Sequence, residues 1–263
     1  MTPAPLSPSN ARLKELRKLS RRSVRTERRL FLADGPKAVE GALAAGCVEE
    51  LFVVPALAGE YADATLVSPE AMQGLSDSVS PAGVVALCRF IDLPVSALRD
   101  PASGPPTSGL WAICADVRDP GNAGTVIRCA DAAGAAAVIL AGDSVDLYNP
   151  KTIRASVGSA FHLPIAIERD PLAAIAAAKQ AGLTVLAADM NGDADLFTAD
   201  ELLARPTAWL MGNEAWGIPE ELKAAADSIV SIPIFGKAES LNLSTAAALC
   251  LYASARAHRR SGT

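Results

Sequence analysis

The stretch Gly109–Gly142, GLWAICADVRDPGNAGTVIRCADAAGAAAVILAG, carries the pattern that decides the fold. Its first apolar run, Leu110 to Ala115, has the length of a buried strand. Asp119-Pro120-Gly121 breaks that run. A helix is expected from Asn122 to Ala133, and a second buried strand follows. Strand, helix and strand in close succession describe a parallel crossover unit. The alternation continues to the end of the chain. LPIAI, LTVLAAD, TAWLMG and SIVSIPIF read as strands, with helices over 150–159, 171–181, 199–204, 219–226 and 243–257. The fold class is α/β, with a carboxy-terminal parallel sheet covered on both faces. Ligands of such sheets sit at the carboxyl ends of the strands.

Upstream, Asp92–Gly109 (DLPVSALRDPASGPPTSG) holds four prolines, two glycines and three serines, a linker composition. The chain therefore divides into a front domain over 1–93, a linker over 94–109 and a main domain over 110–263. The front domain is itself a small α/β unit. It has a basic helix over about 9–20, a short strand, a helix opened by Pro36 and stopped by Gly46, the strands VEELFVVP and ATLVS, a helix opened by Ser68-Pro69, and GVVALCRF.

Of 263 residues, half are hydrophobic and 5% aromatic, enough to bury a sizeable core. No leader and no apolar run of about 18 residues is evident, so the chain is expected to be cytoplasmic, with no membrane association. The five cysteines form no CxxC pair and read as reduced buried thiols. With two histidines, no zinc cluster is expected. His162 reads as a packed histidine, and His258 as part of a charged tail.

Net charge is −5, but between Arg12 and Arg29 nine basic residues face two acids, a local charge of +7. Arg12, Lys14, Arg17, Lys18, Arg21, Arg22, Arg25, Arg28 and Arg29 are the candidate contacts for a polyanion, nucleic acid above all. The alternative is a solvated helix face.

Three loops that leave strands in the main domain are candidate site segments: Asp116–Gly134, Leu210–Leu222 (LMGNEAWGIPEEL) and Ile232–Cys250 (IPIFGKAESLNLSTAAALC). Taken singly, each admits a local role. Asn122 and Asn242 are candidate helix caps, and Gly212 and Gly217 candidate turn glycines. Arg128, in an otherwise apolar helix, and Glu214, in an apolar loop, each require a partner or solvent. No GxGxxG and no GxxxxGK[ST] is present, which argues against a Rossmann dehydrogenase or a P-loop enzyme.

NAGTVIR, MGNEAWG and IPIFGKAESLNLS together resemble the three motifs of the SpoU (TrmH) branch of the SPOUT RNA methyltransferases, in the family's order. LKELRKLSRRSVRTERRLFLADGPKAVEGAL resembles the family's ribosomal-protein-like RNA-binding domain, with Asp34 where Glu is more usual. The resemblance implies a deep trefoil knot, a homodimer, S-adenosylmethionine as cofactor, and methylation of a ribose 2′-hydroxyl in RNA. Ribosomal RNA, most of all 23S, is favoured over tRNA. It also implies a cofactor pocket around Leu210, Met211, Gly212, Ile232, Ile234, Ser240 and Leu241, and a catalytic set of Asn122, Arg128, Glu214 and Asn242. A catalytically silent RNA-binding protein of the same fold is the rival reading.

Overall fold

The computed structural model describes residues 4–61, 63–99 and 109–261, so most of the expected linker lies outside the described residues. The chain forms two compact units. One comprises Met1–Ile91 with Asp146–His162, the other Asp92–Val145 with Leu163–Thr263. A single cut in the linker does not anticipate that Asp146–His162 joins the front unit.

The front unit opens with α1 (Ala11–Arg17), whose N-cap Asn10 accepts from the backbone N–H groups of Arg12 and Leu13. A second helix, α2 (Arg22–Arg28), continues the basic segment. Then come β1 (Leu30–Asp34), α3 (Pro36–Ala44), β2 (Val48–Val53), β3 (Thr65–Leu66), α4 (Pro69–Leu75) and β4 (Val84–Arg89). The sheet runs β1-β4-β2-β3, antiparallel except for the last pair. Gly46 takes a positive φ of 64° just after α3, the conformation its place at the helix end requires. Leu13, Leu16 and Leu19 pack with Phe52, Met72 and Leu87 to form the core.

The main unit contains β5 (Leu110–Ala115), α5 (Pro120–Ala133), β6 (Ala137–Ala141), β7 (Ile165–Glu168), α7 (Pro171–Gln180), β8 (Thr184–Ala188), β9 (Ala194–Asp195), α8 (Asp200–Leu203), β10 (Thr207–Met211), α9 (Glu220–Ala225), β11 (Ser228–Ser231) and α10 (Leu243–Ser261). Its seven strands are all parallel, in the order β7-β6-β5-β10-β8-β11-β9. Period-two alternation splits β10 between two cores. Ala208 and Leu210 pack with Trp111, Ile113, Ile175, Ala178 and Leu222 on the α7 and α9 side. Trp209 points the other way, and its indole N–H donates to Ser254 Oγ of α10 at 3.0 Å.

Two elements depart from the expected bounds for identifiable reasons. β11 stops at Ser231 rather than continuing to Phe235. Its partners β8 and β9 flank it on both sides, and Pro233 has no N–H to donate to such a ladder. α5 starts at Pro120, because Asp119 rather than Asn122 is its cap, with Asp119 Oδ1 accepting from the Asn122 N–H at 2.8 Å. The histidines also exchange their expected roles. His162 is exposed, whereas His258 is buried and its Nε2 lies 2.7 Å from the Arg205 carbonyl oxygen. Four cysteines are buried and Cys129 is half-buried, all of them free. Burial pushes the Cys114 thiol up to about 12, which keeps it protonated and inert.

The segment Asp146–His162 supplies the front unit with α6 (Pro150–Ser156) and an aromatic side chain. Tyr148 stacks on Phe90 with ring centroids 3.6 Å apart, and its hydroxyl accepts from the Ile91 N–H at 2.7 Å. Arg25 fixes the start of this segment through an ion pair with Asp146, 2.5 Å in length.

Candidate functional site

The carboxyl ends of β5, β10, β8 and β11 deliver four loops to one place in the main unit. β10 lies between β5 and β8, so the chain's outward run from β5 to β7 and its later strands part at β5. A crevice at such a reversal is where open parallel sheets bind ligands. A cavity of about 650 Å³ occupies it. That size suits a cofactor-scale ligand.

Three side chains tie the loops together. Glu214, after β10, accepts at Oε2 from the Arg118 N–H and at Oε1 from the Asp119 N–H, both at 3.1 Å. Its Oε1 also accepts from Asn122 Nδ2 at 3.1 Å. Asn122 Oδ1 in turn accepts from Asn242 Nδ2 at 3.1 Å. Asn242 Oδ1 caps α10 by accepting from the Ser244 N–H at 2.9 Å. The three motif loops are thus one hydrogen-bonded unit, and Asn242 is a cap and a cavity residue at once.

Burial acts to raise the Glu214 carboxyl. The backbone N–H of Arg118, the Asn122 amide and the backbone N–H groups of Glu214 and Asp119 outweigh it and hold the group below the usual carboxylate range. A carboxylate that accepts several N–H bonds is favoured in its charged form. Since the folded value lies below the unfolded one, the stabilisation is complete above the ordinary carboxylate value. It is lost only as pH falls through the lowered one. Glu214 is therefore ionised at neutral pH, with both oxygens engaged.

Gly212, Ile232, Ile234, Ser240 and Leu241 line the cavity, as do Asn122, Glu214 and Asn242. A Cβ on Gly212 would collide with the backbone of Gly217, so glycine is required there by close approach. Leu210 and Met211 are fully buried in β10 and do not line the cavity; Leu210 faces the α7 and α9 core instead. Arg128 is exposed on α5, outside the cavity lining, with no side-chain hydrogen bond or ion pair among the described residues.

The sequence reading missed the loop after β8. Ala188, Asp189, Met190 and Asn191 line the cavity, as do Trp216, Ile218, Lys223 and Ala246. The signal was available, since LTVLAAD ends in the same sheet and points its carboxyl end to the same edge. Lys223, the one cation of the lining, is neutralised by Asp189 and Glu220, each at 3.0 Å. Asp189, Glu214 and Glu239 leave the lining acidic.

The basic segment lies on the front unit and is not uniformly available. Arg25 is 2% exposed, paired with Asp146 and donating to the carbonyls of Leu19 and Ser20. This corrects its assignment as a nucleic-acid contact, because its charge is spent inside the fold. Arg17 is half-buried against Gly74, and Arg29 lies over the Phe90 ring at 4.5 Å. Arg12 pairs with Glu50, and Lys18 and Arg28 share Glu15. Lys14, Arg21 and Arg22 are exposed, with no side-chain hydrogen bond or ion pair among the described residues.

The SpoU rRNA Methylase family profile matches residues 109–252, and the MRM3-like substrate binding domain profile matches residues 10–86. The chain is 30% identical to the 23S rRNA (guanosine(2553)-2′-O)-methyltransferase RlmP of Bacillus subtilis, over 94% of this chain and 96% of that protein. Its fold is similar to the AdoMet-bound rRNA methyltransferase from Sinorhizobium meliloti. That match has TM-score 0.81 and 34% identity, over 94% of this chain and 95% of the other. It is similar also to the SpoU methyltransferase AviRb from Streptomyces viridochromogenes in complex with AdoMet, with TM-score 0.79 and 30% identity, over 97% and 100% of the two chains. With the motif loops joined at one strand-end cavity and more than half the chain matched, the protein belongs to the SpoU rRNA methylase family.

Proposed function

We propose that this protein transfers the methyl group of S-adenosylmethionine to a ribose 2′-hydroxyl of ribosomal RNA, 23S most of all. The cavity built around the linked Asn122, Glu214 and Asn242 carries the reading. Its lining fits the cofactor. Ile218, Ile232, Leu241 and Ala246 offer apolar walls to an adenine. Three carboxylates against one paired lysine suit a sulfonium cation and would repel a phosphorylated cofactor. When bound, S-adenosylmethionine supplies an activated methyl group.

The chain's own residues then hold and orient. Glu214 fixes the β10 loop against the start of α5 and serves as an anchor rather than a base, since its oxygens are already engaged. Asn122 and Asn242 present amides to the cavity and keep the strand-end loops in register. Arg128 binds a phosphate flanking the target and so orients the ribose; a guanidinium stays protonated and does not abstract the hydroxyl proton. Glu214→Ala is expected to weaken cofactor binding about 10- to 100-fold, through loss of the charge-assisted bonds that shape the loop. In the wild type, cofactor affinity by calorimetry should stay flat from neutral pH down to the ordinary carboxylate value, then fall as Glu214 is protonated. A drop centred near neutrality would assign control to another group.

Arg128 shares the outward face of α5 and α10 with Leu249 and Tyr252, which are 38% and 53% exposed. Two copies joined there form the homodimer we infer, each lending Arg128 to the other's cavity. The placement of β10 between β5 and β8, with the Ile232–Asn242 loop returning to the cavity, supports the deep trefoil knot of the SPOUT fold. A ribosomal RNA substrate puts the protein in the cytoplasm.

The front unit supplies RNA affinity. Neutralising Lys14, Arg21 and Arg22 together should weaken RNA binding and flatten the salt dependence, log K against log[salt], by about 2. An unchanged slope would remove the arm from the interface. The overall reading is tested by transfer of tritiated methyl to total RNA, with mapping of the modified nucleotide. Label on a base would overturn the reaction, label on tRNA the substrate, and cofactor binding without label would favour the silent RNA-binding protein.

A further inference from the structure

Trp216 is unlike the other two tryptophans. Trp111 and Trp209 are 1% and 0% exposed, whereas Trp216 is 60% exposed and lines the cavity. With Met190 it is one of the two most exposed large apolar side chains of that lining. Its indole N–H has no hydrogen-bond partner among the described residues.

The backbone that carries it is held from several sides. Asn213 and Gly217 exchange N–H to carbonyl bonds of 2.9 and 3.0 Å across the turn. Asn213 Nδ2 donates to the Asp116 carbonyl at 2.7 Å, and Asn213 Oδ1 accepts from the Ala215 N–H at 2.7 Å. Glu214 is anchored as described above. A rigid loop thus presents a large aromatic face to solvent, two residues from the group that organises the cavity. Leaving that face bare forfeits the burial energy of an indole.

We propose that Trp216 stacks on a nucleobase of the RNA substrate and so positions the nucleotide whose ribose enters the cavity. The proposal rests on the reading of this cavity as a site of ribose methylation. An RNA nucleotide approaching a lining of three carboxylates and one neutralised lysine gains nothing from charge there. Apart from the phosphate contact assigned to Arg128, attraction at the lip must then be uncharged, and base stacking on an aromatic face is such an interaction. A cofactor buried in the cavity rests against the enclosed walls. That leaves the exposed indole at the lip for the substrate. Fixing the plane of the base also fixes its ribose, which aligns the 2′-oxygen for transfer.

The full-length protein tests this with an unmodified 23S RNA transcript and tritiated cofactor. Trp216→Ala is expected to lower kcat/KM for RNA about 10- to 100-fold, mostly through KM. Trp216→Phe should recover most of the loss, since it keeps an aromatic face. Cofactor affinity by calorimetry and the sedimenting mass should stay as in the wild type. Adding the transcript should shield the fluorescence of Trp216, the one exposed tryptophan, from acrylamide. Equal turnover by Trp216→Ala and wild type would overturn the proposal while leaving the methylation reading intact. Loss of cofactor affinity in the variant would place the ring on the adenine, and a fall in mass would place it between copies of the chain; either outcome overturns it. A wild type that labels no RNA would overturn both readings.

Discussion

Arg128→Ala is expected to lower kcat for methyl transfer by about 100- to 1000-fold, with cofactor affinity within about twofold of wild type. The magnitude is that of losing the alignment of a reacting group held by a charged contact beside it. Arg128 stands exposed on α5 and outside the cavity lining, with no side-chain hydrogen bond or ion pair among the described residues. Its loss therefore removes no wall of the strand-end cavity and creates no cavity in the core. If calorimetry shows that cofactor affinity falls with turnover, Arg128 is a pocket or folding element instead. A mixing experiment adds the second half of the argument. Arg128→Ala and Glu214→Ala subunits, each strongly impaired alone at limiting cofactor, should regain about a quarter of wild-type activity after random exchange. Only a site that draws on two subunits lets one of the mixed dimer's two sites be intact. No recovery on mixing would place both residues in one chain's site.

The second large effect is on stability. Arg25→Ala should destabilise the front unit by about 3–5 kcal/mol, the cost of stranding one partner of a buried ion pair. The Arg25 and Asp146 side chains are 3% and 11% exposed, so solvent screens the pair little. Removal also orphans the carbonyls of Leu19 and Ser20. Denaturant unfolding checks the magnitude. Replacing both partners, Arg25→Met with Asp146→Leu, should restore much of the loss, because an apolar pair leaves no uncompensated charge. A change of less than 1 kcal/mol in the single variant, alongside weakened RNA binding, would return Arg25 to the set of RNA contacts.

The basic segment shows how far a sequence carries such an assignment. Its density of charge is visible in the letters, and so is its contrast with an acidic chain. Which cations are spent on the fold is not visible. Asp146, which neutralises Arg25, lies far along the chain, in a segment whose spacing reads as part of the main domain. Only folding brings them together. Lys14, Arg21 and Arg22 remain as the available cations because no acid among the described residues folds back onto them.

The strand–helix alternation and the three loop motifs are local properties. Hydrophobic period, Pro and Gly punctuation and capping residues specify them within a few turns of chain, so they were legible from the sequence alone. The same holds for Asn242 as a cap. The order β7-β6-β5-β10-β8-β11-β9 is not local, since any parallel arrangement would satisfy the same periodicity. That order made the β8 loop a wall of the cavity. The alternation of β10 turned Leu210 into the core and away from the strand-end cavity. The sequence by itself determined the elements, the motif residues and the family. The tertiary structure alone decided which of those residues share a cavity, because strand order and facing depend on contacts between distant parts of the chain.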